Sequence, residues 1–94
     1  MKEKLKHQLL TIEMKAWLKH RNGTSDVVRI LPDDSSHAAQ CYQIYTAYGE
    51  YPGYLGRILF DQEGCWIYDG HDLDIAEQEQ LANFILRPVE RRYN

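Results

Sequence analysis

The sequence predicts an α+β fold, with an antiparallel sheet of three to four strands and both an N-terminal and a C-terminal helix on one side of it. Short aromatic and β-branched segments follow one another between residues 40 and 69, as in a meander. A capped amphipathic pattern covers residues 75–86, and an apolar stripe at helical spacing covers residues 2–21. The predicted order is α-β-β-β-β-α in a single domain of residues 1–94, with residues 88–94 as a flexible basic tail.

The first predicted helix covers residues 2–21. One stripe of a 3.6-residue period holds Leu5, Leu9, Ile12 and Ala16. Asn22-Gly23 follows as a stop, because glycine accepts the left-handed conformation that ends many helices. A strand remains open as an alternative, since a competing alternation with period two runs through Ile12, Met14, Ala16 and Leu18.

Four strands are expected after this helix. Residues 26–31 form a short apolar segment that Pro32 ends, and residues 40–48 alternate in the manner of a strand. Residues 55–60 and 65–68 flank the segment 61–64, which has the length and the late glycine of a hairpin loop. Cys41 and Cys65 both fall inside these strands and are expected to be buried apolar fillers.

A register for the last three strands follows if Tyr48 faces Tyr54 and Phe60 faces Cys65. One face, the expected core face, then holds Tyr42, Ile44, Thr46, Ile58, Phe60, Cys65 and Ile67. The opposite face mixes large aromatic side chains with polar ones: Cys41, Gln43, Tyr45, Arg57, Leu59, Trp66 and Tyr68. An apolar patch of this kind is usually covered, so this face predicts either packing under the first helix or contact with a partner.

The second helix begins at a capping box. Asp74 and Glu77 have the spacing at which each side chain accepts from the other residue's backbone amide. Pro88 ends the pattern, because proline lacks an amide hydrogen and restricts the residue before it.

Composition and charge limit the classes of function. The chain has a net charge of −3, and no apolar run is long enough to cross a membrane. The charged N-terminus does not resemble a secretion signal, and we therefore expect a cytoplasmic protein without a membrane partner. The charge is also segregated. Residues 1–22 and 87–94 are basic, whereas residues 23–86 are acidic.

The leading hypothesis is a non-catalytic binding or regulatory protein that acts through protein–protein contacts, either with another protein or as a homodimer. The sequence contains no motif of a known catalytic or cofactor site, and no cofactor is expected. Tyrosine, tryptophan and arginine dominate the energetics of many protein interfaces. The predicted contact residues on the mixed face are Gln43, Tyr45, Arg57, Trp66 and Tyr68.

Two alternatives use other residues. A nucleic-acid-binding protein would use the basic N-terminal helix and the C-terminal tail, through Lys2, Lys4, Lys6, Lys15, Lys19 and Arg21, joined by Arg87, Arg91 and Arg92. A small metal protein or enzyme would use the loop before the second helix, where Asp69, His71 and Asp72 supply two carboxylates and an imidazole. The overall acidic charge speaks against the first alternative, and the structural role of Asp74 as a helix cap speaks against the second.

Overall fold

The computed structural model describes residues 7–34 and 40–88. A five-stranded antiparallel sheet has the order β2-β3-β4-β5-β6, and β1 and β7 form a separate two-stranded pair. One helix follows the sheet in the chain. The elements are β1 (His7–Leu9), β2 (Met14–Lys19), β3 (Ser25–Asp33), β4 (Gln40–Thr46), β5 (Tyr54–Phe60), β6 (Trp66–Asp69), α1 (Ile75–Ile85) and β7 (Leu86–Pro88).

The prediction of an N-terminal helix over residues 2–21 is wrong for its described part, residues 7–21, and so are the order α-β-β-β-β-α and the sheet of three to four strands, since the sheet has five. Residues 14–19 form β2, whose alternate residues Ala16 and Leu18 are buried while Lys15 and Trp17 are exposed. The segment predicted to stop a helix, Asn22-Gly23, is the turn between β2 and β3. Gly23 has a φ of 93°, and the amide of His20 donates to the carbonyl of Thr24 at 2.8 Å. A positive-φ glycine in a short loop is typical of a hairpin.

Strand β3 continues through Pro32, which the sequence had predicted to end it. The last pair between β2 and β3 joins Met14 to Ile30, so β2 has already ended where Pro32 lies. On its other side, Pro32 faces Tyr42 of β4. The missing amide hydrogen of Pro32 therefore removes no bond from the ladder between β2 and β3.

The meander predicted between residues 40 and 69 is present as β4, β5 and β6, but its register differs by one residue at the last hairpin. Phe60 faces Trp66, not Cys65. The reason is the turn. The amide of Asp61 donates to the carbonyl of Cys65 at 2.9 Å, and Gly64 takes a φ of 89°, so that only three residues lie in the loop. A slip of one residue moves every side chain of β6 to the other face.

A second register difference comes from a β-bulge. The pairing of β4 with β5 shifts between Ile44 and Tyr45, so that Tyr45 faces Tyr54. The prediction that Tyr48 faces Tyr54 is therefore wrong. Gly56, opposite Ile44, has a φ of 112°, which a residue with a Cβ atom adopts only with strain.

The core lies between the sheet and α1. Residues of β3, β4 and β5 point towards the helix, and Tyr42 and Phe60 meet edge to face with ring centroids 5.9 Å apart. The largest fully buried side chains of this core are Leu18, Val28, Ile30, Tyr42, Ile44, Ile58, Phe60, Leu81 and Ile85. Burial raises the pKa of Tyr42 to about 12, and its hydroxyl donates to the carbonyl of Leu10 at 2.6 Å.

Helix α1 begins at the predicted capping box, which is confirmed. The Asp74 side chain accepts from the Glu77 amide at 2.8 Å, and the Glu77 side chain accepts from the Asp74 amide at 3.0 Å. From the end of β6 at one edge of the sheet, the helix packs across to β2 at the other edge. The predicted basic tail of residues 88–94 lies outside the described residues, apart from Pro88, which ends β7.

Candidate functional site: the open face of the sheet

Helix α1 covers one face of the five-stranded sheet, and we call the opposite face the open face. Within the described ranges, the buried core cluster lies on the side of α1, and Leu9, Leu10 and Leu86 also pack against that cluster. Apolar side chains are exposed on it, with Trp17 at 74%, Ile67 at 65% and Tyr54 at 49% of full accessibility. A sheet that is solvated on one side normally carries polar residues there, so exposed tryptophan and isoleucine are informative.

Hydrogen bonds already occupy the polar groups in the middle of the open face. Gln43 donates to Asp33 at 2.7 Å and accepts from the Tyr54 hydroxyl at 2.5 Å. The Tyr54 ring lies 5.2 Å from that of Tyr45. Burial is the main cause that raises the pKa of Tyr54. This part of the surface is a preorganised platform.

Four cations of the described residues lie on the open face, and carboxylates neutralise two of them. Arg57 donates to Asp69 at 2.9 Å, and Arg29 donates to Glu13 at 2.9 Å. Among the described residues, Lys15 and Lys19 are the cations on this face for which the structure shows no ion pair. Both lie on the edge strand β2.

The strand β2 therefore presents a distinct patch, which we call the Trp17 patch: Lys15, Trp17 and Lys19. These three residues alternate with the buried positions of β2, so their side chains share the open face. The Lys15 ammonium lies 5.2 Å from the ring centroid of Tyr48, a cation–π contact. The patch combines one large exposed aromatic side chain with two positive charges.

Three of the five predicted contact residues lie on the open face, namely Gln43, Tyr45 and Arg57. Trp66 and Tyr68 do not, because the register of β6 turns them towards the core side of the sheet, where they are half-buried and pack against the core cluster. The Tyr68 hydroxyl donates to the carbonyl of Leu55 at 2.5 Å and accepts from the amides of Asp72 and Leu73. The hydroxyl thus fixes the loop that leads into α1.

The residues predicted for nucleic-acid binding are separated in the fold. Lys15 and Lys19 lie in the Trp17 patch, while Arg21 is in the following turn, 83% exposed and 3.8 Å from Asp74. Arg87 lies in β7. The others lie outside the described residues: Lys2, Lys4, Lys6, Arg91 and Arg92.

The loop predicted for metal binding begins at Asp69, which is held by Arg57 on the open face. His71 and Asp72 follow it as exposed loop residues. Residues 7–34 and 40–88 contain no group of three His, Cys, Asp or Glu side chains arranged to hold a metal ion.

Both cysteines are free. Cys41 is buried, as expected, but Cys65 is exposed, because it closes the hairpin loop instead of continuing β6. Burial is the main cause that raises the pKa of Cys41. A nucleophilic cysteine has a lowered pKa, so the position of Cys41 favours packing over catalysis.

Sequence reasoning missed Trp17, the most exposed large apolar side chain in the middle of a strand. The segment 2–21, which the sequence predicts as a helix, includes this residue. The signal for a strand with Trp17 on its exposed face was the segment Lys15-Ala16-Trp17-Leu18-Lys19, in which polar or aromatic residues alternate with small or apolar ones.

Comparisons of the chain with protein-family models, with curated proteins and with solved structures found no match. In the described part of the chain, no helix has both the length and the apolar character needed to span a bilayer.

Proposed function

We propose that the protein is a non-catalytic binding protein, and that its open face, centred on the Trp17 patch, contacts an acidic segment of a partner protein. The observation that carries the proposal is the exposure of Trp17, at 74%, between two lysines for which the structure shows no carboxylate partner. A tryptophan contributes strongly to binding when a partner buries it. The lysines favour a partner that brings negative charge to either side of it.

The platform beside the patch supports the same function. Gln43, Tyr45 and Tyr54 hold one another in place, so little side-chain entropy is lost when a partner covers them. Tyrosine rings also offer apolar area with a polar end, which suits a surface that is wet before binding.

The number of available cations favours protein over nucleic acid. A nucleic-acid site of ordinary affinity neutralises several phosphates, roughly 6–10 in well-studied cases. The described open face offers Lys15 and Lys19 only, since Arg29 and Arg57 are already bound to carboxylates. One positive charge on each side of an aromatic ring is sufficient to bind an acidic peptide segment.

Site-specific photo-crosslinking tests the proposal. A benzophenone amino acid replaces Trp17 in one variant and Ile75 in a matched control, because Ile75 is similarly exposed, at 66%, but lies at the start of α1. Both variants are irradiated in the cells from which the protein comes. We expect a discrete protein adduct from position 17 and none of the same mass from position 75.

The adduct is then identified, and the purified partner is titrated calorimetrically with the wild type and with the Trp17→Ala and Ile75→Ala variants. We expect Trp17→Ala to weaken binding at least about tenfold and Ile75→Ala to leave it unchanged. Equal binding by wild type and Trp17→Ala overturns the proposal. So does a crosslink from position 17 that nuclease digests, or one that contains only a second copy of this chain.

A further inference from the structure

The backbone of the edge strand β2 is partly capped by a side chain. The amide of Lys19 donates to Oε1 of Gln80 at 2.8 Å, and Nε2 of Gln80 donates to the carbonyl of Lys19 at 2.7 Å. Gln80 thus pairs with Lys19 as the backbone of a neighbouring strand would. The polar backbone groups of Lys19 therefore point away from β3.

The direction of the other backbone groups of β2 follows from alternation. In an antiparallel ladder, successive residues turn their amide and carbonyl groups to opposite sides. The amide and carbonyl groups of Lys15 and Trp17 therefore point away from β3, like those of Lys19. An independent contact agrees with this assignment. Val27, which faces Trp17 in β3, uses its carbonyl to accept from the amide of Ala47 at 3.0 Å, on the side of β4.

The open part of the edge is thus two outward-facing residues long. No strand lies beside Lys15 and Trp17 within residues 7–34 and 40–88, and the next outward position is occupied by Gln80. Unpaired strand edges of this kind are templates for another strand.

We propose that two copies of this chain pair along β2, antiparallel, with Lys15 of each copy opposite Trp17 of the other. The backbone amide and carbonyl groups of Lys15 in each copy then bond to those of Trp17 in the other copy, and the two copies are related by a twofold axis. The two sheets join into one sheet of ten strands. Such a contact is isologous and closes at the dimer. The proposal goes beyond the acidic partner and does not depend on it.

Repulsion between lysines disfavours the two neighbouring registers of this strand pair. If Trp17 faced its own counterpart, Lys15 would lie opposite Lys19 of the second copy, and if Lys15 faced its own counterpart, two lysines would again be opposed. Like charges directly opposite one another destabilise a strand pair. In the proposed register each Lys15 instead faces a tryptophan, whose ring attracts an ammonium group. Lysines on edge strands usually oppose edge-to-edge pairing because they repel each other. In the register that places Lys15 opposite Trp17, no two lysines face each other.

The remaining pairs of this register are compatible with it. On the core side, Ala16 faces Ala16 of the second copy, and Met14 faces Leu18. Gln80 occupies the outward side of Lys19, so the pairing between the copies ends at Met14 and Leu18. The two helices lie far apart, because each contacts Lys19 of its own copy, and in this register that residue is six strand residues, or about 20 Å, from Lys19 of the second copy. The pairing brings together one short strand from each copy, which is typical of weak, concentration-dependent association.

Sedimentation equilibrium over a wide range of protein concentration tests the proposal, with Lys15→Pro and Lys15→Ala compared to the wild type. Proline deletes the outward amide, which makes no bond within the described monomer, whereas alanine retains it. We expect a monomer–dimer equilibrium for the wild type, dissociation constants within a few fold of it for Lys15→Ala, and no dimer for Lys15→Pro. Thermal melting confirms that each variant folds.

Disulfide trapping tests the register even if the proline variant does not fold. In a Cys65→Ser background, Lys15→Cys and Trp17→Cys variants are mixed and oxidised, one of them carrying a mass tag. Facing residues in a bonded antiparallel pair lie about 5.5 Å apart at Cα, within the range of a disulfide. We expect the mixed dimer to form and each variant alone to crosslink much less. A monomer at every concentration, or preferential crosslinking of Trp17→Cys with itself, overturns the proposal.

Discussion

The ring of Tyr68 fills the space that Gly56 leaves empty. A Cβ atom on Gly56 would lie 2.7 Å from Cε1 of Tyr68 and 2.9 Å from the carbonyl oxygen of Asp69. Both distances are shorter than any van der Waals contact allows. The β-bulge beside Gly56 and the position of Tyr68 on the core side of β6 are therefore one structural arrangement. It places the Tyr68 hydroxyl where it holds the loop before α1.

Gly56→Ala is expected to destabilise the protein by about 3 kcal/mol, from overpacking against Tyr68 together with the strain of a positive φ. Gly23→Ala is the matched control. Gly23 has a similar φ of 93°, but a Cβ atom there meets nothing within 4 Å, so we expect only about 1 kcal/mol from backbone strain. Urea unfolding measures both. Equal losses would show that the Tyr68 ring moves aside without cost.

Tyr68→Phe retains the ring and removes the hydroxyl. The carbonyl of Leu55 then loses its donor, and the amides of Asp72 and Leu73 lose an acceptor. We expect a loss of about 1 kcal/mol in unfolding free energy and faster hydrogen exchange at residues 72 and 73. Tyr51→Phe, at an 82% exposed position, serves as the control and is expected to change neither. Unchanged exchange in Tyr68→Phe would contradict the role of the hydroxyl.

His20 is expected to make stability depend on pH. Its Nδ1 lies 2.7 Å from Glu77 of α1, and its Nε2 lies 2.7 Å from Asp26 of β3. The bond to Glu77, followed by that to Asp26, raises the pKa of His20 above its ordinary value of 6.5. A raised pKa means that the folded state favours the protonated form. The stabilisation is therefore complete below pH 6.5, as long as both carboxylates stay ionised, and is lost as pH rises through the raised value.

Urea unfolding of the wild type and of His20→Gln, from below pH 6.5 to above the raised pKa, measures the contribution of His20 to the free energy of unfolding. We expect the wild type to exceed His20→Gln in stability most at the acidic end, with the difference shrinking as pH rises. His71→Gln, at an exposed loop position, is the matched control for replacing a histidine by glutamine. A difference between wild type and His20→Gln that grows with pH would reverse the sign and exclude the protonated bridge.

Local signals predicted the strands β4, β5 and β6 and the helix α1 of the second half, but not the register of the strands. The capping box at Asp74 and Glu77 needs only neighbouring residues, and it forms as the sequence indicates. The N-terminal half could not be decided in the same way. Ala16 and Ile12 belong both to a helical stripe and to a strand alternation, and β2 forms because β3 and α1 bury Ala16 and Leu18 together. Such long-range packing is absent from a local pattern.

The register of β6 limited how much of the candidate site could be predicted from the sequence. The faces of β4 were assigned correctly for Gln43 and Tyr45, because residues alternate reliably within one strand. Trp66 and Tyr68 were assigned to the wrong face, since one loop residue more or less inverts β6. The bond between Asp61 and Cys65 decides that count, and the composition of the loop alone does not reveal it.

Gln80→Ala is expected to have opposite effects on the monomer and on the proposed dimer. The monomer loses two hydrogen bonds to Lys19, and we expect about 1 kcal/mol less unfolding free energy. The edge of β2 gains a third open position, at which Lys19 faces Glu13 of a second copy. Opposite charges across a strand pair are favourable, so the dimer should form at lower protein concentration than in the wild type. Urea unfolding and sedimentation equilibrium measure the two effects, with Glu79→Ala as the exposed neighbouring control. If Gln80→Ala destabilises the monomer but leaves association unchanged, Gln80 does not limit the length of the edge, and the two-residue pairing loses its structural basis.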